Sequence, residues 1–163
     1  MFYIQLIAII AFCIWILAYY RKTVRDILIF QSAANILYFI HYLLLGALSG
    51  AYISFVGIVR NLLFLLFKKN KKILVIILIV LYFIITVMFY ENLYSIIPMC
   101  ACSIYLLFML KDNKISLLEG EFICALLWLV YGIFVHSYSS VITEGILCIS
   151  CMVQIIKIKK QLN

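Results

Sequence analysis

The sequence predicts an all-α membrane protein with seven transmembrane helices, and three observations carry that reading. Hydrophobic residues make up 69% of the 163-residue chain, charged residues only 12%, and mean hydropathy is +1.25. A soluble domain carries about 25% charged residues, so this chain has too little polar surface to keep a globule in water. The apolar residues fall into seven runs, 3–20, 27–48, 51–67, 73–90, 93–110, 115–135 and 140–156, each bounded by polar breaks. Runs of this length suit helices crossing ~30 Å of hydrocarbon, whereas strands would leave backbone groups unpaired in lipid. The spans consume the chain and imply one membrane domain, 1–163.

The first run has no basic segment before it, and Tyr19–Tyr20–Arg21 makes a poor cleavage site, so it is expected to stay as a span. The second holds Asn35 and His41. The third, AYISFVGIVRNLLFLLF, carries Gly57 and one arginine, Arg60, with Asn61 beside it. An ionisable residue at that depth costs from ~3 to above ~10 kcal/mol, so it normally faces a cavity or partner and marks a pathway. Gly46, Gly50 and Gly57 around the turn between the second and third runs let two backbones approach closely. The fourth run contains no charge or amide and suits a lipid-facing connector. In the fifth, Cys100 and Cys102 point to different faces; in the sixth, Trp128 and Tyr131 share a face at i, i+3. The seventh carries Glu144 and the Cys148–Cys151 pair.

Twelve of the thirteen basic residues lie in four clusters: Arg21, Lys22 and Arg25; Lys68, Lys69, Lys71 and Lys72; Lys111 and Lys114; Lys157, Lys159 and Lys160. The alternate connections carry none. With positive charge retained inside, the N-terminus is outside and the C-terminus cytoplasmic. The net charge of +7 is therefore a topology and headgroup signal, and nucleic acid is excluded as a partner. Arg60 is the one basic residue outside the clusters.

An overlay shifted by 89 residues places Tyr42 on Tyr131, Leu37 on Leu126, Ser54 on Thr143, and Lys68 and Lys71 on Lys157 and Lys160. Three helices (1–70), a linker helix (71–91) and three helices (92–163) follow. Two parallel three-helix bundles related by an axis along the membrane normal would enclose a cavity.

Ile97–Pro98, the 111–114 turn and LLWLVYG at 126–132 resemble the second repeat of SWEET and PQ-loop (MtN3-like) transporters. HYLLLGALSGAYISFVGIVRN at 41–61 and VITEG at 141–145 resemble the signature regions of the bacterial inner-membrane family typified by YgjV. That resemblance implies a multi-pass protein of the bacterial inner (cytoplasmic) membrane with a SWEET-like fold. SWEET-type transporters use several helix prolines as hinges, and this chain has only Pro98; Gly57 and Glu144 stand near the positions of their pocket asparagines. A neutral-sugar site is not implied.

Counted along the helices at ~1.5 Å per residue, Arg60 lies ~14 Å from the outer face, Glu144 ~6 Å and His41 ~10 Å, with Asn35 near the level of Arg60. One reading has these four facing the cavity, with Arg60 taking a carboxylate or phosphate in a forked contact and Trp128 and Tyr131 stacking on a ring. The other pairs Arg60 with Glu144 structurally. His41 reads as a packing residue or a proton relay, and His136 as a solvated loop residue. Glu119 and Glu121 are expected to reach water at the inner end of the sixth helix, and Trp15 to pack.

The six cysteines fall inside apolar runs and behave as small hydrophobes. No metal or redox site, cofactor, P-loop or nucleophile elbow is implied. The expected partners are the bilayer and a small-molecule solute; the sequence leaves homo-oligomerisation open. The leading function is a small-solute transporter or facilitator with alternating access, a uniporter for want of a run of carboxylates, and not an enzyme. Its substrate is a small polar, anionic or zwitterionic metabolite. The alternative is a non-transporting scaffold or sensor.

Overall fold

In the second and sixth helices, Val24–Leu44 and Lys114–Phe134, a polar cap, more than hydropathy, sets where the helix begins. The computed structural model describes residues 2–67 and 69–162, with the side chains of Phe2, Gln161 and Leu162 excepted; Lys68 of the second basic cluster lies outside the described residues. Seven α-helices are present among them: α1 Phe2–Tyr19, α2 Val24–Leu44, α3 Leu48–Leu66, α4 Lys71–Met88, α5 Ile96–Met109, α6 Lys114–Phe134 and α7 Tyr138–Leu162. A single 3-10 turn, Leu93–Ser95, leads into α5. Helices α2, α3, α4, α6 and α7 are long and apolar enough to cross a membrane, while the apolar stretches Tyr3–Tyr19 and Leu93–Met109 are shorter, ~25 Å each at the rise of an α-helix.

At α2 the Thr23 hydroxyl accepts from the Asp26 N–H at 3.1 Å and donates to its carboxylate at 2.7 Å, pulling the start of the helix three residues ahead of the apolar run. Asn113 does the same at α6, accepting from the Ser116 N–H at 2.8 Å. Helix α7 outruns its apolar segment because lysines are good helix formers and Lys159 pairs with Glu119 at 3.1 Å. Pro98 sits in the first turn of α5, where its missing N–H costs no helical bond.

Sequential neighbours pack pairwise, α1 on α2, α2 on α3, α5 on α6 and α6 on α7, and the pairs α3·α5 and α7·α1 close them into a ring of six. Helix α4 braces α3 and α5. It buries a single stripe, Val75, Leu78, Tyr82 and Thr86, and leaves Ile76, Ile77, Val80, Phe83 and Val87 more than half or half exposed. Lipid is as apolar as leucine, so helix association rests on close fit. The fully buried Ala8, Ala11 and Ala18 on α1 supply a flat face for it.

Matched features fall 90 residues apart, not the 89 of the sequence overlay. Thr23 and Asn113 are the helix caps, α2 and α6 are both 21 residues long, and α3 and α7 start at 48 and 138. Gly46 and His136, in the turns that follow α2 and α6, both have positive φ, +75° and +54°. Burial follows the same shift: through 33–50 and 123–140 the buried positions coincide. The overlay aligned residue identities, in particular Tyr42 with Tyr131, whereas the backbone aligns caps and turns and matches Tyr131 with His41.

Among the described residues, the basic residues of the four clusters share one end of the bundle. There Lys71 pairs with Asp112 at 2.7 Å and Lys114 Nζ donates to the Arg21 carbonyl at 3.2 Å. At the opposite end, the tips of α2 and α6 meet the first residues of α1, α3 and α7.

Candidate functional site

Inside the ring lies a small cavity of about 30 Å³. That is room for a few waters or a few-atom solute. Its polar lining comes from Asn35 on α2, Ser54 and Arg60 on α3, Glu121 on α6 and Glu144 on α7. All five are at most 7% exposed.

Arg60 holds its position without a counter-ion. Its Nε–H donates to Asn61 Oδ1 at 2.9 Å, and Asn61 is tied through Nδ2 to the Leu28 carbonyl at 3.4 Å. The guanidinium carbon lies 4.6 Å from the centroid of the Tyr105 ring, a cation–π contact worth ~0.5–2 kcal/mol. Among the described residues no carboxylate oxygen comes within 4.0 Å of it, and neither Nη has a protein acceptor. The direct Arg60–Glu144 pair of the alternative reading is therefore absent among the described residues. Glu144 makes no hydrogen bond or ion pair among the described residues. The two groups stand at different heights: from the end where α3 and α7 begin, Arg60 is ~18 Å down and Glu144 ~9 Å.

Glu121 lines the same cavity at nearly the height of Arg60. It lies ~20 Å below the end of α6, is 3% exposed, and accepts from Trp15 Nε1–H at 3.1 Å on Oε1, while Oε2 has no partner. The expected water-reaching residue is thus buried, because its face of α6 turns into the ring. Glu119, two residues before it, points out to Lys159. Asn35 Nδ2 is likewise unpartnered, and Gly57 faces it across α2 and α3; a Cβ there would sit 3.2 Å from the amide.

Aromatic rings form the walls. Trp128 stacks on Tyr42 at 5.4 Å between centroids, Tyr42 on Tyr38 at 6.3 Å, and Trp15 meets Tyr38 edge-on at 5.9 Å. Of the residues expected from the sequence, Arg60, Glu144, Asn35, Gly57 and Trp128 line the cavity. His41 and Tyr131 do not. Sequence reasoning missed Glu121, Trp15, Tyr38, Tyr42, Tyr105, Cys102 and Cys124 as lining residues. A shift of 90 would have found some of them, since it joins Trp15 to Tyr105, Gln31 to Glu121 and Tyr38 to Trp128.

His41 on α2 and Tyr131 on α6 instead lie at the end above the cavity, His41 bonding across to the start of α7 and Tyr131 to the start of α3. His41 Nδ1–H donates to the Ile4 carbonyl at 2.8 Å, and its Nε2 meets Ser137 Oγ at 2.9 Å. The Tyr131 hydroxyl accepts from the Gly50 N–H at 3.0 Å and bonds Ser49 Oγ at 2.9 Å. Helix α3 has no cap of its own at Ala47, so Tyr131 and Glu91, which accepts from the Leu48 N–H at 2.9 Å, satisfy its first N–H groups from outside. Ser139 donates to Gln5 Oε1 through both N–H and hydroxyl. Below the cavity Gln31 Nε2 donates to the Tyr19 and Tyr105 hydroxyls at 3.1 Å each.

All six cysteines are free, and no group of three or more metal-binding side chains occurs among the described residues. Cys148 Sγ reaches only the Phe122 carbonyl, at 3.9 Å.

Helices that turn large apolar side chains outward and charged ones into a shared cavity define a multi-pass α-helical membrane protein. The chain belongs to the Imp-YgjV family, described as bacterial inner membrane protein, whose profile matches residues 2–162. It is a multi-pass protein of the bacterial inner membrane. No curated protein and no solved structure matches the chain.

Proposed function

We propose that the protein is a small-solute transporter or facilitator that works by alternating access between two three-helix units, α1–α3 and α5–α7, joined by α4. The unpaired Arg60 guanidinium in a buried cavity is the observation that carries this reading. A charge kept in the membrane interior without a protein counter-ion is costly. It is best explained by a partner that comes and goes. An anionic or zwitterionic metabolite suits it, since a planar guanidinium binds carboxylate or phosphate through two parallel N–H bonds.

Several features support the two-unit reading. Caps, turns and burial share the 90-residue spacing, and the bonds that seal the cavity run between units. Above it these are His41–Ser137, Tyr131–Gly50 and Gln5–Ser139; below it, Trp15–Glu121 and Gln31–Tyr105. A carrier would open one set while keeping the other; both sets of bonds are formed in this structure. On this reading the two units are parallel with one cavity between them, as in SWEET-like carriers. The basic end is assigned to the cytoplasm by the positive-inside rule, which puts the N-terminus outside and the C-terminus inside. The scaffold reading needs Arg60 held by Glu144, and no such contact favours it.

The test is thermal-shift screening of the purified protein against a metabolite panel, followed by uptake of each hit into proteoliposomes. Stabilising solutes are expected to be taken up, and Arg60→Ala to lose the shift. A hit that stabilises Arg60→Ala as well as the native chain would remove Arg60 from the site. Stabilisation without uptake would defeat the transporter reading.

A further inference from the structure

Arg60 and Glu121 lie at nearly the same height, ~18 and ~20 Å below the same end of the bundle. Both line the same cavity, and no ion pair joins them. Each has unused bonding capacity: the Nη donors of Arg60, and Oε2 of Glu121, an acceptor with no partner in a residue that is 3% exposed. Nearby, Asn35 adds an unpartnered Nδ2 donor. Glu144 adds a second carboxylate without a donor, some 9 Å higher beside Tyr38, Tyr42 and Trp128. Two carboxylates thus share the cavity with one guanidinium.

That balance decides between solute classes. A simple anion would satisfy Arg60 while bringing its negative charge towards Glu121 and Glu144, a repulsion little screened inside a membrane. A neutral sugar would leave all three charges unanswered. A solute with one ammonium and one acid group answers both walls at once, each through charge-assisted hydrogen bonds. The ring faces beside Glu144 give an ammonium a second favourable surface.

Resting on the reading of this cavity as a solute site, we propose that the solute is a small amine-bearing zwitterion. Its acid group is held by Arg60 and Asn35, and its ammonium by the carboxylates on α6 and α7, with Glu121 Oε2 the first contact. Glu121, which the family-like motifs do not include, thereby becomes the residue that selects for the amine.

The experiment uses the full-length protein in nanodiscs and three probe series of matched length: ω-amino acids from glycine to 6-aminohexanoate, the alkylamines and the alkanoates. Binding is read by thermal shift and competition. The expected result is that at least one ω-amino acid binds about tenfold or more tighter than the amine and the acid of its length, the worth of one charge-assisted bond. Glu121→Gln keeps an oxygen for the Trp15 N–H and should fold. It is expected to remove that advantage and leave alkanoate binding unchanged, whereas Arg60→Gln weakens amino acid and alkanoate alike. Alkanoates binding as well as the amino acids, or Glu121→Gln without effect on them, would overturn the ammonium assignment and leave the solute cavity standing. No binding by any member of the three series would overturn both.

Discussion

Tyr131→Phe isolates one hydroxyl at the closed end of the bundle. The ring would keep its place, packed edge-on against Trp128 at 5.6 Å and Tyr42 at 5.8 Å, so no cavity is made. What is lost is the acceptor for the Gly50 N–H at 3.0 Å and the partner of Ser49 Oγ at 2.9 Å. Both are buried, and the Gly50 N–H belongs to the first turn of a helix that has no side-chain cap of its own. An unsatisfied buried N–H costs ~1–3 kcal/mol, and hydrogen bonds between membrane helices average nearer ~0.6 kcal/mol. About 1–2 kcal/mol is therefore the expected weakening of the contact between α6 and the start of α3. That corresponds to a ~5–30-fold rise in local opening. Amide hydrogen exchange by mass spectrometry reads this directly: peptides covering 48–53 should exchange faster by that factor, and those from α4 should not change. Equal exchange in both proteins would refute the assignment of Tyr131 to capping and closure.

Gly50→Ala attacks the same contact from the other side, because its Cβ would lie 2.7 Å from Tyr131 Cε1 and 2.8 Å from the hydroxyl oxygen. The ring is boxed in, so the backbones must part, at ~1–3 kcal/mol, and a lowered unfolding midpoint in detergent is the check. Gly57→Leu places a side chain against Asn35 and into the cavity. It should abolish solute-dependent stabilisation while the protein still purifies as a folded monodisperse species; retained solute binding would place the site elsewhere.

Much of the architecture was legible because hydropathy marks helices by their mean. The seven helices lie where the seven apolar runs do, and the expected boundaries err mainly where a polar side chain governs the end. Thr23 and Asn113 start their helices inside segments that hydropathy assigns to loops. Facing was harder to see. In a soluble helix the polar face points to water and reveals the buried one, whereas here lipid accepts apolar residues all round. Only the rare polar residues betray the interior. That signal sufficed for Arg60, Asn35 and Glu144. It failed for Glu121, whose place near the end of α6 suggested access to water, and for His41 and Tyr131, whose depth suggested the cavity although they belong to the seal above it. A one-residue difference in the overlay hid that a shift of 90 matches their positions, His41 bonding Ser137 just before α7 and Tyr131 bonding Gly50 in the first turn of α3.

The two seals differ in how they touch the cavity, and this yields a last prediction. The upper seal, His41 and Tyr131, is made by residues that do not line the cavity. The lower one includes Glu121, a lining residue whose Oε1 holds the Trp15 N–H at 3.1 Å while its Oε2 has no partner. A solute that engages Glu121 must therefore alter the Trp15 contact, whereas the upper bonds feel it only through the helices. Trp15 and Trp128 are the only tryptophans, so in Trp128→Phe the emission reports Trp15 alone. Adding a bound ω-amino acid should shift that emission, since the indole N–H exchanges or strengthens its acceptor, and Glu121→Gln in the same background should abolish the shift. The mirror protein, Trp15→Phe, leaves Trp128, which stacks on Tyr42 nearer the upper end. If its emission responds to solute and that of Trp15 does not, the solute sits in the upper part of the cavity, and coupling through the lower seal is wrong.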